Sequence, residues 1–279
     1  MGKVCDLHTH SVYSDGTWSP GELIDEAIRI NLSAIALCDH NTTDGLAEFT
    51  SYAEGRDILA IPSIEISSEF NNIELHILGL FLPPSEFHRV NLFLEVMNER
   101  KKKAYVELIQ RLNADGYMLD LEKIKQTTPT GHINRAHIAT ALTQAGYASD
   151  IHEAFTVFLS PKGEYYRKPE RYTAFEVIAF LKSVGAVPVL AHPLLSMNAD
   201  TCEEFLRQAI PVGLVGMETI YPTYTSEDTK KAKELAQKYR IKESGGSDFH
   251  GDKKPGLMLG CGYGDLAVPL EFVDKLKER

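Results

Sequence analysis

The sequence predicts an α/β fold: a βα barrel interrupted by a helical segment. Two observations lead there. Short apolar runs alternate with helical patterns, the signature of βα units. The stretch from about residue 85 to 168 breaks that rhythm, with helical patterns and no convincing strand. At 279 residues and 43% hydrophobic, the chain can bury one large core, or a core plus an insert.

Taken in order, the strand candidates are residues 3–7, 34–38, 58–66, 75–81, 187–191, 214–219 and the short 243–246. Helix starts stand between them. Ser19 offers an N-cap, with Pro20 at the first helical position and Glu22 three residues after the cap. Thr173 and Glu176 repeat that capping box before 177–183. In the middle, a long helix covers 93–113 and contains the charged run 99–103. Shorter helical patterns follow at 121–126, 135–145 and 151–158. The expected division is a barrel made from 1–84 and 169–279, carrying the site, and a helical insertion domain at 85–168 that caps it.

A formal net charge of −10 argues against the basic surface of non-specific nucleic-acid binders. Bound cations could still supply local positive charge that composition hides. Cys5, Cys38, Cys202 and Cys261 are scattered, with no C-x-x-C pair, and read as small buried thiols. The N-terminus shows no signal-peptide h-region or myristoylation pattern, and no apolar run approaches the roughly 20 residues that span a bilayer. A cytoplasmic protein without membrane partners is expected.

The histidines carry the functional signal. His88, His132, His137 and His152 lie in the helical stretch. The other six, His8, His10, His40, His76, His192 and His250, each lie within or just after a predicted strand. In a βα barrel the C-terminal strand ends converge on one face, which holds the active site. Asp6, Asp15, Asp39, Glu65 and Asp248 share that address. Period-two alternation puts the imidazoles of Asp6-x-His8-x-His10 on one side, as a divalent metal requires. Asp248-x-His250 repeats the spacing after two glycines that permit close backbone approach. Singly, Asp15 reads equally well as a turn aspartate, and one strand histidine as a core residue. Six coincident strand ends do not.

Rival chemistries fail on residue types. There is no Gly-x-Ser-x-Gly elbow, no cysteine-protease context and no G-x-x-x-x-G-K-[ST] phosphate cradle. The Gly260-Cys261-Gly262-Tyr263-Gly264 run has the wrong spacing and reads as a loop.

Together, Asp6-x-His8-x-His10, Asp39-His40, Glu65, Ala191-His192-Pro193 and Gly246-Ser247-Asp248-Phe249-His250 resemble the PHP (polymerase and histidinol phosphatase) family, over residues 4 to about 260. Ser14-Asp15-Gly16 and Asn134-Arg135-x-His137 look most like its nucleotide phosphoesterase branch, acting on 3′,5′-bisphosphorylated nucleosides or RNA 5′ ends. The resemblance implies a distorted (β/α)7 TIM-like barrel with a trinuclear metal centre. His8, His10, Glu65 and Asp248 would bind one ion. Glu65 would bridge to a second, held by His76 and His192, and Asp15, His40 and His250 would hold a third. Asn41 departs from the branch, where aspartate usually follows Asp-His; a contact behind the ligands is expected to differ there.

The chemistry expected is hydrolysis of a phosphate monoester, of a bisphosphate nucleoside, an AMP-like compound or a short oligonucleotide 5′ end. Two or three divalent ions (Mn, Fe or Zn) would neutralise the phosphate oxygens and lower the pKa of water toward about 7, giving a metal-bridging hydroxide that attacks in line. Glu65, Arg135 and His192 are the expected catalytic residues. Arg135, whose guanidinium matches phosphate oxygens, His137 and Lys162 are the candidate substrate contacts. Asp6 and Asp39 are expected to orient ligand histidines. No stable duplex nucleic-acid binding is expected. Two alternatives remain open: a histidinol-phosphate phosphatase, and a non-catalytic metal-stabilised module, against which the intact ligand set argues.

Overall fold

The structure, a computed structural model, describes residues 3–127, 133–168 and 170–278. It is a mixed α/β fold built on two sheets. In the first, β1 (Val4–Thr9), β2 (Ala34–Leu37) and β3 (Leu59–Pro62) run parallel, and the short β9 (Val268–Pro269) pairs antiparallel with β1. The second orders β4 (Ile64–Phe70), β5 (Ile73–Leu80), β6 (Val187–Leu190), β7 (Gly216–Ile220) and β8 (Lys242–Gly245) side by side.

The expected strand at 58–66 is therefore two strands in different sheets. Pro62 has no N–H to extend a ladder, and the chain crosses over at Ser63. Nor do the sheets close into one continuous cylinder. At one seam β8 stops at Gly245 and the next residues turn, with Asp248 at φ 50°. Among the described residues isolated bridges span the gaps, Thr9 to Phe249 and His40 to Glu65, with Asp248 N–H donating to His8 O at 2.8 Å. Moreover β5 runs antiparallel to both β4 and β6. Its beginning, not its end, reaches the mouth where the parallel strands finish, and His76 sits there.

Two buried layers support this frame. Small and aliphatic residues from both sheets, including Cys5, Leu7, Ala36, Cys38, Leu78 and Val189, meet in one cluster, so the sheets face one another across it. The alternate positions, such as Ile35, Leu37, Ile66, Ile77 and Leu190, pack outward under helices. These include α1 (Pro20–Arg29), α2 (Leu46–Ala53) and the first half of α3 (Phe87–Ala114). Both predicted capping boxes form, Ser19 with Glu22 on α1 and Thr173 with Glu176 on α7 (Ala174–Ser183).

The middle of the chain folds around a third cluster, from Tyr105 to Tyr166. It comprises the second half of α3, then α4 (Leu121–Lys125), α5 (Arg135–Gln144) and α6 (Ile151–Glu153), which runs into a π-helical turn at Ala154–Phe158. Helix α3 thus begins in one core, through Val90, Leu94 and Met97, and ends in another, through Leu108 and Leu112. The later α8 (Pro193–Ser196), α9 (Ala199–Val212), α10 (Ser226–Tyr239) and α11 (Glu271–Lys277) return to the sheets. Among the described residues no helix is long and apolar enough to cross a membrane.

Candidate metal centre

Glu65 stands at the middle of the site, fully buried on β4. Its Oε1 lies 2.8 Å from His76 Nδ1 and 3.2 Å from His192 Nε2. Its Oε2 lies 3.0 Å from His40 Nδ1 and 3.3 Å from Nε2 of both His8 and His10. The chain reaches this point from many directions. His8 lies one residue before the end of β1 and His10 directly after it, their Nε2 atoms 3.1 Å apart, as period-two alternation predicts. Asp248 Oδ1 lies 3.1 Å from His10 Nε2, and Asp15 Oδ1 lies 3.3 Å from His250 Nε2. All nine residues predicted as ligands are therefore brought to one place. Seven of them form overlapping groups, His8–His10–Glu65, His10–Asp15–His40–His250 and His40–Glu65–His76, whose ligand atoms lie within 4.8 Å of one another in each group; His192 and Asp248 stand beside these, against Glu65 and His10.

The donor set fits divalent cations on the chemistry of its orphaned atoms. Buried polar atoms normally find partners. Yet Glu65 Oε2, His10 Nδ1 and His40 Nδ1 are buried with no hydrogen bond among the described residues. The charges agree. Burial opposes ionisation of Glu65, but His40, His76 and His8 around it hold its carboxyl well below the usual carboxylate range. Burial likewise opposes charge on His10, but Asp248 and Glu65 outweigh it and push its pKa up to about 9. His76 is pushed up to about 9 as well, against burial, chiefly by Glu65. The carboxylates demand positive charge at this spot, which nitrogen- and oxygen-bound cations supply.

Close backbone approach makes the convergence possible. A Cβ on Gly246 would meet the His8 backbone nitrogen at 2.5 Å, so glycine lets the loop after β8 lie against β1. Two candidate ligands hold left-handed backbones, His192 at φ 28° and Asp248 at φ 50°. Such conformations persist where neighbours over-determine them. Glu218 Oε2 accepts the His192 N–H at 2.7 Å, and Asp248 Oδ2 accepts from Tyr221 Oη at 2.7 Å and Lys254 Nζ at 2.6 Å.

Glu218 went unnoticed in the sequence. Fully buried on β7, it also takes His8 Nδ1 at 3.0 Å and so leaves Nε2 to face the cluster. The strand-end rule applied to 214–219 would have found it. Asp6 and Asp39, expected to orient ligand histidines, do something else. Asp6 accepts from Ser247 N–H, Ser247 Oγ and Gly260 N–H, and Asp39 from Ser11 N–H and the hydroxyls of Ser11 and Ser14. They fasten loops to strands, not imidazole rings. Asn41 both donates to Ser67 Oγ and accepts the Ser67 N–H, which an ionised aspartate could not do.

Beside Asp15, His40 and His76 opens a cavity of about 150 Å³, walled by Lys101, Arg135 and Arg171. Arg135 thus reaches the site, though Glu74 Oε2 holds its Nη2 at 3.0 Å. Arg171 is the better placed group. Its side chain is buried, Glu74 holds its Nη2 at 2.8 Å, and its Nε and Nη1 have no hydrogen bond among the described residues. Burial, then Arg171, lowers the Lys101 ammonium to about 7. His137 lies elsewhere: its Nδ1 accepts the Asn134 N–H at 3.0 Å, and it lines a second cavity. Lys162 is exposed and does not line the cavity beside the cluster. His88 and His152 stand apart on α3 and α6, and His132 lies outside the described residues.

Comparison with known proteins agrees with this geometry. The PHP domain profile matches residues 6–175. A 5′-3′ exoribonuclease of Haemophilus influenzae is 28% identical over 277 residues, 99% of this chain and 97% of the relative. A 3′,5′-nucleoside bisphosphate phosphatase of Chromobacterium violaceum is 27% identical, over 91% of this chain and 90% of its own. A crystal structure from Bifidobacterium adolescentis, named for the metal-dependent phosphoesterases, superposes with a TM-score of 0.86 at 26% identity, covering 98% and 95% of the two chains.

Proposed function

The chain belongs to the PHP domain family, and on that premise we propose that it releases phosphate from a 3′,5′-bisphosphorylated nucleoside or the 5′ end of a short RNA. It is a hydrolase of the metal-dependent phosphoesterase type. One observation carries the reading: Glu65 Oε2, buried and without a hydrogen bond among the described residues, lies 3.0–3.3 Å from nitrogens of three histidines. His8, His10, Glu65 and Asp248 would hold one ion, Glu65 with His76 and His192 a second, and Asp15, His40 and His250 a third. The donors suit manganese, iron or zinc. When bound, such ions neutralise phosphate oxygens and acidify water toward a pKa of about 7.

The chain's own contribution is position and charge. Arg171, with two orphaned donors, binds phosphate oxygens beside the cluster, and Arg135 and Lys101 add charge to the same wall. These side chains place positive charge beside the cluster in a protein of net charge −10, sharing the wall with Glu74 and Asp15. Glu218 holds the His8 tautomer, and Tyr221 with Lys254 occupies Asp248 Oδ2, so Oδ1 turns to the cluster. Two finer readings accompany this one. The two facing sheets are the halves of a distorted (β/α)7 barrel, supported by their shared inner layer. Residues 85–168 are an inserted helical unit over the site, supported by the separate cluster from Tyr105 to Tyr166.

The test is elemental analysis of protein purified without added metal, alongside phosphate release from a 3′,5′-bisphosphorylated nucleoside and from histidinol phosphate. Turnover that chelation abolishes and manganese or zinc restores is expected. No release from any nucleotide with excess metal would overturn the proposal, and a higher kcat/KM for histidinol phosphate would replace it with that activity.

A further inference from the structure

One cavity is lined by Asp15 and another by the residues directly after it, Gly16 and Thr17, and the two differ in size and lining. The first, about 150 Å³ with three cations, is smaller than the roughly 300–1,000 Å³ of sites that enclose an organic ligand. It suits a phosphate group alone. The second, about 690 Å³, falls within that range. It lies between α4 and α5 on one side and the segment after Asp15 on the other.

Its lining is mixed. Gly16 and Thr17, directly after the candidate ligand Asp15, line it together with Lys253, and the α4–α5 side adds the apolar Leu119, Ile124 and Ala141 flanked by Asp120, Lys123 and Thr140. Lys253 follows His250 in the turn Gly251–Lys253, which the Asp252 N–H to Thr17 Oγ1 bond at 2.9 Å ties to that segment. The Lys253 ammonium is half-buried and, among the described residues, has no hydrogen bond or ion pair. His137 shares the cavity, and burial followed by Lys253 drives its pKa down to about 4, so it is neutral at pH 7.

We infer that this second cavity holds the organic remainder of the substrate, a nucleoside bearing a second phosphate, with Lys253 pairing that second phosphate. The inference rests on the nucleotide phosphoesterase reading above and names where its specificity arises. The scissile phosphate sits at the cluster and the small cationic cavity. The sugar and base lie against Leu119, Ile124 and Ala141, and the remaining phosphate meets the half-buried ammonium. The ammonium feels the Asp15 charge but makes no ion pair with it among the described residues, and a half-desolvated cation gains from an anion that completes it.

Calorimetry on the full chain tests the assignment, comparing a 3′,5′-bisphosphorylated nucleoside with inorganic phosphate. Lys253→Ala should weaken the bisphosphate roughly tenfold or more, the worth of one charge-assisted contact, and inorganic phosphate by less than about twofold. Lys253→Arg should recover most of the loss. Ala141→Phe, which fills the apolar side, should weaken the bisphosphate with little effect on inorganic phosphate. Equal weakening of both ligands, or of neither, by Lys253→Ala would overturn the inference. Phosphate release measured on the same proteins separates the two ideas. Differential binding without turnover would sink the enzymatic reading and keep the subsite, whereas turnover with no differential would sink the subsite alone.

Discussion

The strand-end side and the helical side of the site hold their functional groups in opposite ways. On the strand-end side the far atom of a candidate ligand is tied down. His8 Nδ1 and the His192 N–H both meet Glu218, and Asp248 Oδ2 meets Tyr221 and Lys254. What remains, His8 Nε2, Asp248 Oδ1 and Glu65 Oε2, points inward without choice. On the helical side Lys101, Lys253 and two nitrogens of Arg171 have no hydrogen bond among the described residues. The first arrangement is a cage whose ties turn donor atoms toward the proposed cation position, with His10 Nδ1 and His40 Nδ1 left without a hydrogen bond among the described residues. The second is a set of cations left incomplete where an anion goes. On the proposed reading, preorganisation is divided by charge: strand ends for the metal, helices and one loop for the substrate.

Removing the centre of the cage should have the largest effect. Glu65→Gln is expected to cost more than the roughly 10²–10³-fold of losing one electrostatic stabiliser, and to lower the metal content measured by elemental analysis. Near-normal turnover with full metal would show that the cage is not the reactive centre. Next comes Glu218→Gln, which leaves His8 Nδ1 or the His192 N–H without its charged acceptor. Roughly 10–100-fold lower metal affinity is expected, read by competition with a chelator. An unchanged affinity would mean the tie-down is ornamental.

On the anion side, Lys101→Met should raise KM for the phosphate ester several-fold with little change in kcat. It also carries a pH signature. The folded chain holds Lys101 at about 7, below its ordinary 10.5, so the unfolded chain binds more protons between those values. Stability therefore rises with pH across that window, and the variant should lose that rise in denaturant titrations at pH 7 and pH 10. Identical pH slopes for the two proteins would place the ammonium in solvent. Lys162→Ala should do least, within about 0.5 kcal/mol in stability and about twofold in kcat/KM, because the side chain is exposed and away from the small cavity.

The same division separates what was legible from what was not. The cage could be read because strand geometry turns spacing into direction. Asp6-x-His8-x-His10 and Asp248-Phe249-His250 put donors on one face whatever surrounds them. The helical side had no such rule. Lys101 lies in the run 99–103, which reads as a solvated face, and Arg171 belongs to no motif. Lys162, singled out beside Pro161 and Gly163, proved exposed, while Arg135 arrived at the cavity already paired with Glu74.

By itself the sequence determined the alternation of strands and helices, the helical middle, both capping boxes and the identity of the clustered donors. All of these follow from local periodicity and the chemistry of side chains. Tertiary structure alone decided that residues 58–66 divide between two sheets, that β5 enters antiparallel and delivers His76 from its beginning, and that Glu218, not Asp6 or Asp39, steers a ligand ring. Each depends on which strand lies beside which. That is settled by the packing of the whole inner layer, and no window of neighbouring residues contains it.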